Sequence, residues 1–324
     1  MRPRCTPAWC RLAWRTPAWR TLVAALAVVA GHGAVAAPTE APDLAFGAFQ
    51  RGRYRDAFSA ATQRVEKDSG DAAAMALLGE LTADGLGIAP DLKKAAEWFA
   101  LAAARGDRNA AYSLAMMALQ GRGVPKDKAR AKSLLEQAAK AGQPSAAYNL
   151  GLMALEDNTP DGDVRGAQLI RKGADAGVPE AEFAYAMLLR AGKGMPLDKE
   201  MAGQFMARAA RDRYEAAEIE YAIMLFNGDG VAKDEAAAAK LFLRSATGGN
   251  PIAQNRLAIL YVSGRGVTTD LAEAAAWNLL AKHAGRDDPW LDSATANLTP
   301  EQREKAQGLV RQRLSSYQLG ITPP

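Results

Sequence analysis

Residues 111–142 read AYSLAMMALQGRGVPKDKARAKSLLEQAAKAG, and the order of elements in this stretch decides the fold. Apolar residues recur at helical spacing from Ala111 to Leu119, which makes a first helix. Gly121-Arg122-Gly123 ends it, because glycine adopts the left-handed conformations in which helices stop and turn. Asp127 follows, a residue whose carboxylate caps the free amides at the start of a new helix. Ala131 and Leu134 then place a small and a large apolar residue on one face of that second helix, and Gly142 closes it. Such a hairpin is too small to bury its own apolar faces.

The same order recurs six times. Anchored on Leu78, Leu114, Leu150, Tyr185, Tyr221 and Leu257, the copies are 36, 36, 35, 36 and 36 residues apart. Each anchor is followed by Gly or Ala, which leaves room for close helix crossing. Seven residues after the anchor, five copies carry G-x-G: Gly85-Leu86-Gly87, Gly121-Arg122-Gly123, Gly192-Lys193-Gly194, Gly228-Asp229-Gly230 and Gly264-Arg265-Gly266. Thirteen residues after it stands an aspartate in all six: Asp91, Asp127, Asp163, Asp198, Asp234 and Asp270. Alanine lies four residues beyond each aspartate, and a large core residue (Trp98, Leu134, Ile170, Phe205, Leu241, Trp277) three further on.

Six hairpins stacked in register bury what one alone leaves open, so the fold class is all-α: an α-solenoid of stacked antiparallel helix pairs, A and B, with terminal helical caps. The copies span 72–107, 108–143, 144–178, 179–214, 215–250 and 251–285. Residues 37–71 form an N-terminal, tetratricopeptide-like cap, a degenerate helix pair over 43–69 with a short turn at Gly52-Arg53. Residues 286–324 form a C-terminal helical cap and a frayed tail. Within that cap Asp288-Pro289-Trp290-Leu291 opens a short helix, and Thr299-Pro300-Glu301-Gln302 opens another by a capping box, running to about Leu314.

The pattern resembles the Sel1-like repeat, a relative of the tetratricopeptide repeat with a longer, glycine-bearing loop between its helices. The resemblance covers residues 72–285 and rests on G-x-G-V-x-x-D between paired helices, as in Gly121-Arg122-Gly123-Val124 and Asp127. It implies a non-catalytic scaffold or adaptor that binds a protein or peptide in the groove of the solenoid, often in envelope signalling or assembly. A nucleotide-binding reading of G-x-G fails, since no strand precedes it and no third glycine opens a helix.

The formal charge of +4 points to nucleic acid only until the charges are located. Residues 1–36 hold Arg2, Arg4, Arg11, Arg15 and Arg20 and no acid; removing these five from the 40 basic residues leaves 35 against 36 acids, a balance of −1. No nucleic-acid partner is expected. The same segment reads as a signal peptide: an arginine-bearing leader, an apolar run from Leu22 to Ala30, and Ala34-Val35-Ala36-Ala37-Pro38, with cleavage after Ala36. The run is about half the ~20 residues of a spanning helix, so no stable membrane span is expected after cleavage, with a retained anchor as the alternative. A periplasmic or secreted location follows. Cys5 and Cys10 both leave with the leader, and His283 is the one histidine after it, which excludes cysteine nucleophiles, zinc–thiolate sites and two-histidine metal sites from the mature chain.

No catalytic residue, cofactor or metal is therefore expected. The third loop, Glu156 to Asp163, places Asp157, Thr159, Asp161 and Asp163 at calcium-loop spacing, but Gln168 stands where the bidentate glutamate belongs, and Asp163 is expected to cap helix B. Glu180, Glu182, Glu218 and Glu220 read as ordinary acids of helix A, not as a glycosidase pair. Trp98 and Trp277, and the stripe Tyr112, Tyr148 and Phe183, read as packing residues. With the anchor facing the core, the residues one and five before it lie about 100° and 140° away on helix A. These positions give Asn109, Ser113, Ser145, Asn149, Glu180, Glu220 and Arg256 as the expected partner-binding residues. The alternative function is an envelope hydrolase or binder acting on peptidoglycan or β-lactams; no S-x-x-K nucleophile with a fitting partner supports it.

Overall fold

The computed structural model describes residues 43–318. The expected leader 1–36, its cleavage motif and the tail 320–324 lie outside them. All sixteen regular elements of the described residues are α-helices, and the chain divides into two compact units, Met1–Leu152 and Met153–Pro324.

In the first unit the cap helices α1 (Leu44–Gln50) and α2 (Tyr54–Lys67) precede the pairs α3 (Ala72–Asp84)/α4 (Leu92–Ala104) and α5 (Arg108–Gln120)/α6 (Lys128–Lys140), followed by α7 (Pro144–Leu155), which straddles the division. Each helix from α1 to α5 packs on the next. In the second unit come α8 (Pro160–Asp175), then the pairs α9 (Pro179–Ala191)/α10 (Lys199–Arg211), α11 (Glu215–Asn227)/α12 (Glu235–Thr247) and α13 (Pro251–Ser263)/α14 (Leu271–His283), with α15 (Pro289–Ala294) and α16 (Pro300–Gln318) closing the stack. Each unit is a length of α-solenoid.

The loop aspartate fastens two helices at once. Its carboxylate caps helix B, accepting from Lys94 N at 3.0 Å in the case of Asp91 and from Arg130 N at 2.9 Å in the case of Asp127. Its own N–H donates back to helix A, Asp91 to the Thr82 carbonyl and Asp127 to the Ala118 carbonyl, both at 2.9 Å. Asp198, Asp234 and Asp270 repeat both bonds in the second unit.

The third copy is the exception, and the expected cap at Asp163 is not there. Helix α8 begins at Pro160 with Thr159 as its cap, the Thr159 hydroxyl accepting from Gly162 N at 3.0 Å. This copy is one residue short, and the deletion falls in its loop, so helix B slides by one relative to the aspartate. Ile170 consequently lies with Phe99, Leu135, Met206 and Phe242, the buried register one residue beyond Trp98 and Leu134. Trp98, Leu134 and Leu241 are half-buried, whereas Trp277 is fully buried.

The two glycines of the loop have different jobs. Gly228 is the left-handed C-cap of α11 at φ 72°. Gly230, at φ 75°, lies against the preceding pair: a Cβ there would run into the Lys199 carbonyl at the start of α10. Gly123 meets Leu92, Gly194 meets Asp163 and Gly266 meets Glu235 in the same way. The second glycine is thus a stacking contact between successive repeats, a role beyond turning the chain.

Both ends are closed by helices. The capping box at Thr299 and Gln302 forms in both directions, at 3.0 and 3.2 Å. Helix α16 runs four residues past Leu314, to Gln318. It covers α14 by burying Ala306 and by Lys305–Asp270 and Arg313–Glu273 ion pairs, each 2.7 Å, with the Arg313 guanidinium 3.8 Å from the Trp277 ring centre.

Gly177→Ala and Gly230→Ala separate turning from stacking. Both glycines have positive φ, but a Cβ at Gly177 meets nothing within 4 Å. Urea unfolding should show a loss of about 1–2 kcal/mol for Gly177→Ala, the cost of a left-handed residue. Gly230→Ala should lose about 2–4 kcal/mol, since overpacking adds to that strain. Equal losses would mean that the second glycine only turns the chain.

Candidate functional site

Two of the four acids expected on solvated helix faces are in the core of the second unit. Glu182 is 1% exposed and Glu218 4%, because the place three residues before the anchor faces helix B. Each meets an arginine of its own helix B: Arg208 Nη2 is 2.6 Å from Glu182, and Arg244 Nη2 is 2.7 Å from Glu218. The same guanidiniums donate to the Ala174 and Ala210 carbonyls at the C-terminal ends of the preceding B helices. In the first unit Gln137 donates likewise to the Ala103 carbonyl at 2.7 Å. The sequence does carry this signal. Acid and arginine stand 26 residues apart in both copies, and where Gln254 replaces the acid, Leu280 replaces the arginine. Burial pushes the Glu182 carboxyl above its ordinary value, and Arg208 pulls it back only in part. Arg213 adds a second cation to Glu218 at 3.0 Å while holding φ 65°, where sibling copies have glycine.

The place two residues after the anchor is half-open in five copies and buried at Leu152 of α7, 8% exposed. Met116 in the first unit and Met187, Ile223 and Ile259 in the second are half-buried there. Sequence reasoning passed over this row because apolar residues read as core. Glu80 takes the same place in α3; no cation pairs with it among the described residues, and burial, with the Asp84 charge behind it, raises its carboxyl above the ordinary value.

The seven expected partner-binding residues divide accordingly. Ser113 and Asn149 are 6% and 8% exposed, so they do not present themselves to a partner as expected. Their hydroxyl and amide donate to the Asn109 and Ser145 carbonyls of their own helices, at 2.9 and 2.8 Å. The wheel placed them outward, but the neighbouring A helix covers this side: the Asn149 amide also reaches Tyr112 Oη at 3.4 Å. Asn109 is exposed, and Ser145 and Glu180 are half-buried. Glu220 is half-buried and tied to Arg190 at 3.0 Å; Arg190 also reaches Asp229, which Lys199 holds at 2.8 Å. Arg256 is exposed and pairs with nothing among the described residues. Phe183 packs its ring 5.4 Å from Tyr214.

Other candidates carry less. In the third loop Arg165 pairs with Asp157 at 2.6 Å and Lys193 with Asp163 at 3.2 Å, so cations of the chain already meet two of the supposed calcium ligands. Among the described residues no group of His, Cys, Asp and Glu converges as a metal site, and no helix is long and apolar enough to cross a membrane. His283 ends α14, exposed. Clefts of about 650 Å³ (Phe58, Thr82, Pro90, Asp91) and 570 Å³ (Gln204, Ala207, Tyr221, Val231) sit where a B helix meets the next loop.

The model of the Sel1 repeat matches residues 72–107, 108–143, 144–178, 179–213, 215–250 and 251–285. The chain belongs to the Sel1 repeat family. Among solved structures it is similar to a Sel1 repeat protein from Oxalobacter formigenes, 22% identical with a TM-score of 0.62 over 74% of this chain and 97% of that one. It is also similar to a protective antigen of uropathogenic Escherichia coli displaying an SLR fold, 22% identical with a TM-score of 0.52 over 85% of this chain and 68% of that one. At this identity both likenesses concern the fold alone. No curated protein matches the chain. Sel1 repeat proteins are generally protein-interaction scaffolds, and the Sel1 repeat fold is typically non-catalytic.

Two substitutions test the electrostatics of this Sel1 array. Arg208→Ala leaves Glu182 buried without its cation; with Arg208 itself 38% exposed, thermal and urea unfolding should show a loss of about 1–3 kcal/mol, less than for a sequestered pair. Glu80 has a folded-state value above its unfolded one, so its contribution to stability is complete below the ordinary glutamate value and lost as pH rises through the raised one. Glu80→Gln should therefore be more stable than the parent at about pH 7, the difference closing as pH falls through the raised value toward the ordinary glutamate one. A difference that persists in acid would place its cause outside this titration.

Proposed function

We propose that this Sel1 repeat chain is an exported, non-catalytic scaffold of the bacterial envelope, holding a protein or peptide segment against the outward side of its A helices in envelope signalling or assembly. The observation that carries this reading is the division of labour within helix A. The anchor, the place after it and the place four before it hold small or large apolar residues in every copy, while the half-open places of Met116 in the first unit and of Met187, Ile223 and Ile259 in the second are bordered by polar positions that change from copy to copy. Half-buried apolar side chains beside varied polar ones suit recognition of a partner. Export is supported by the leader-like composition of residues 1–36 and by the lack of cysteine after them, which lets the fold stand in an oxidising compartment without disulfides.

Site-specific photo-crosslinkers test the surface. Benzophenone side chains at Ile223 and Ile259 should give crosslinked adducts in cells, and the same groups at the exposed B-helix residues Lys132 and Lys240 should not. Adducts from the B positions alone would move the docking surface, and none anywhere would count against a scaffold. The mass of the protein recovered from the envelope should correspond to a chain beginning at Ala37; a mass that includes residues 1–36 would sink the export reading. Glu220→Lys should lower the melting temperature, because it breaks the bond to Arg190, whereas Arg256→Glu should leave it nearly unchanged.

A further inference from the structure

We propose that the C-terminal end of the A-helix row, formed by Ile252, Arg256, Ile259 and Trp290, docks a partner peptide that presents a carboxylate side chain beside an aromatic or aliphatic one. This rests on the scaffold reading and specifies its partner's chemistry.

Helix α15 is the stub of a seventh helix A. Asp288-Pro289-Trp290 repeats the cap, first and second positions of Asn250-Pro251-Ile252, with both caps accepting from the amides that follow. The Asn255 amide donates to Asp288 at 2.8 Å, and Leu291 is fully buried in the cluster that holds Leu257, Leu260 and Trp277. The second helix position is small or polar in the other copies: Ala73, Asn109, Ser145, Glu180 and Ala216. Only at this end does it become large and apolar, and it stays open, with Ile252 39% and Trp290 54% exposed.

Arg256 lies one helical turn beyond Ile252 on the same side of α13, and Ile259 continues the stripe. No acid of α11 or around α15 forms an ion pair with it among the described residues. Glu215 accepts from Asn250, Glu218 holds Arg213 and Arg244, and Glu220 holds Arg190. Asp288 accepts from Asn255 and its own helix, while Asp292 accepts from Asn278 and Lys282. Asp287 is within 3.9 Å of Lys282, and the Arg286 Nε has no acceptor among the described residues. The patch therefore combines open apolar side chains, a tryptophan and an arginine that no ion pair holds, the residue types that dominate binding energy at interfaces. Its complement is an acid next to a hydrophobe, and the arginine also selects against basic segments.

The test uses the purified full-length chain against a displayed library of random linear peptides, followed by fluorescence anisotropy with the selected peptides. Enrichment of Asp or Glu beside Phe, Trp, Leu or Ile is expected. Arg256→Glu and Trp290→Ala should each weaken the selected peptides by about tenfold or more, the scale of a hot-spot truncation. Arg303→Glu, an exposed change on α16, should leave them unchanged, and replacing the peptide's acid by lysine should restore binding to Arg256→Glu. Circular-dichroism melts of these variants should overlay the parent. Selected peptides that are basic, or that bind Arg256→Glu and Trp290→Ala undiminished, overturn this assignment while leaving the scaffold reading standing. Failure to select any peptide, or binding of anionic phosphatidylglycerol vesicles that Arg256→Glu abolishes in place of peptide binding, also overturns it.

Discussion

The fold depends on how closely one loop backbone approaches the helix start beneath it. Where Gly230 lies on the Lys199 carbonyl, two successive repeats are spaced by backbone atoms, with no side chain between them to compress or tilt. The contact fixes the pitch of the stack locally. Everything else in the hairpin follows from keeping that spacing: Gly79 against the Phe99 ring, and small residues at the fourth place after each aspartate. A stack built on nearest-neighbour contacts of this kind needs no long-range pairing to reach a folded state.

Much of this was legible in the chain because period and residue type both pointed to one answer. The anchors, the left-handed glycines, the aspartate caps of five copies and the capping box at Thr299 and Gln302 are local devices, and local devices can be read from spacing. What stayed hidden is what a second element contributes. The return bond from the aspartate N–H to helix A, the burial of Glu182 and Glu218 and the covering of Ser113 and Asn149 all depend on a neighbour that a helical wheel does not contain. A wheel says which way a residue points from its own axis. It does not say whether another helix stands there.

The third copy shows how a single deletion is absorbed. With one residue fewer in its loop and no glycine pair, it could not keep both the aspartate cap and the core register. The core register won: Ile170 is fully buried with its structural equivalents, and the cap moved to Thr159. The order of magnitudes agrees, since emptying a core place costs about 2–5 kcal/mol and losing a cap about 1. Asp163, freed from capping, is left beside Lys193, which is why the loop reads as acidic without behaving as a cation cage.

The same economy explains where function is free to reside. Positions that touch the repeat above, the repeat below or the partner helix are constrained by backbone spacing or by buried ion pairs, and a change there alters stability before it alters recognition. Glu220 belongs to that constrained class through Arg190, although sequence position alone made it resemble a surface contact. Arg256 does not, since nothing among the described residues holds its guanidinium. Residues that the stack neither buries nor pairs are the ones through which a repeat array can acquire a partner without losing its fold. At the end of the second unit such residues include Ile252, Arg256 and Trp290, where the stub helix α15 meets α13 with one buried leucine, Leu291, and a side-chain bond from Asn255 to Asp288.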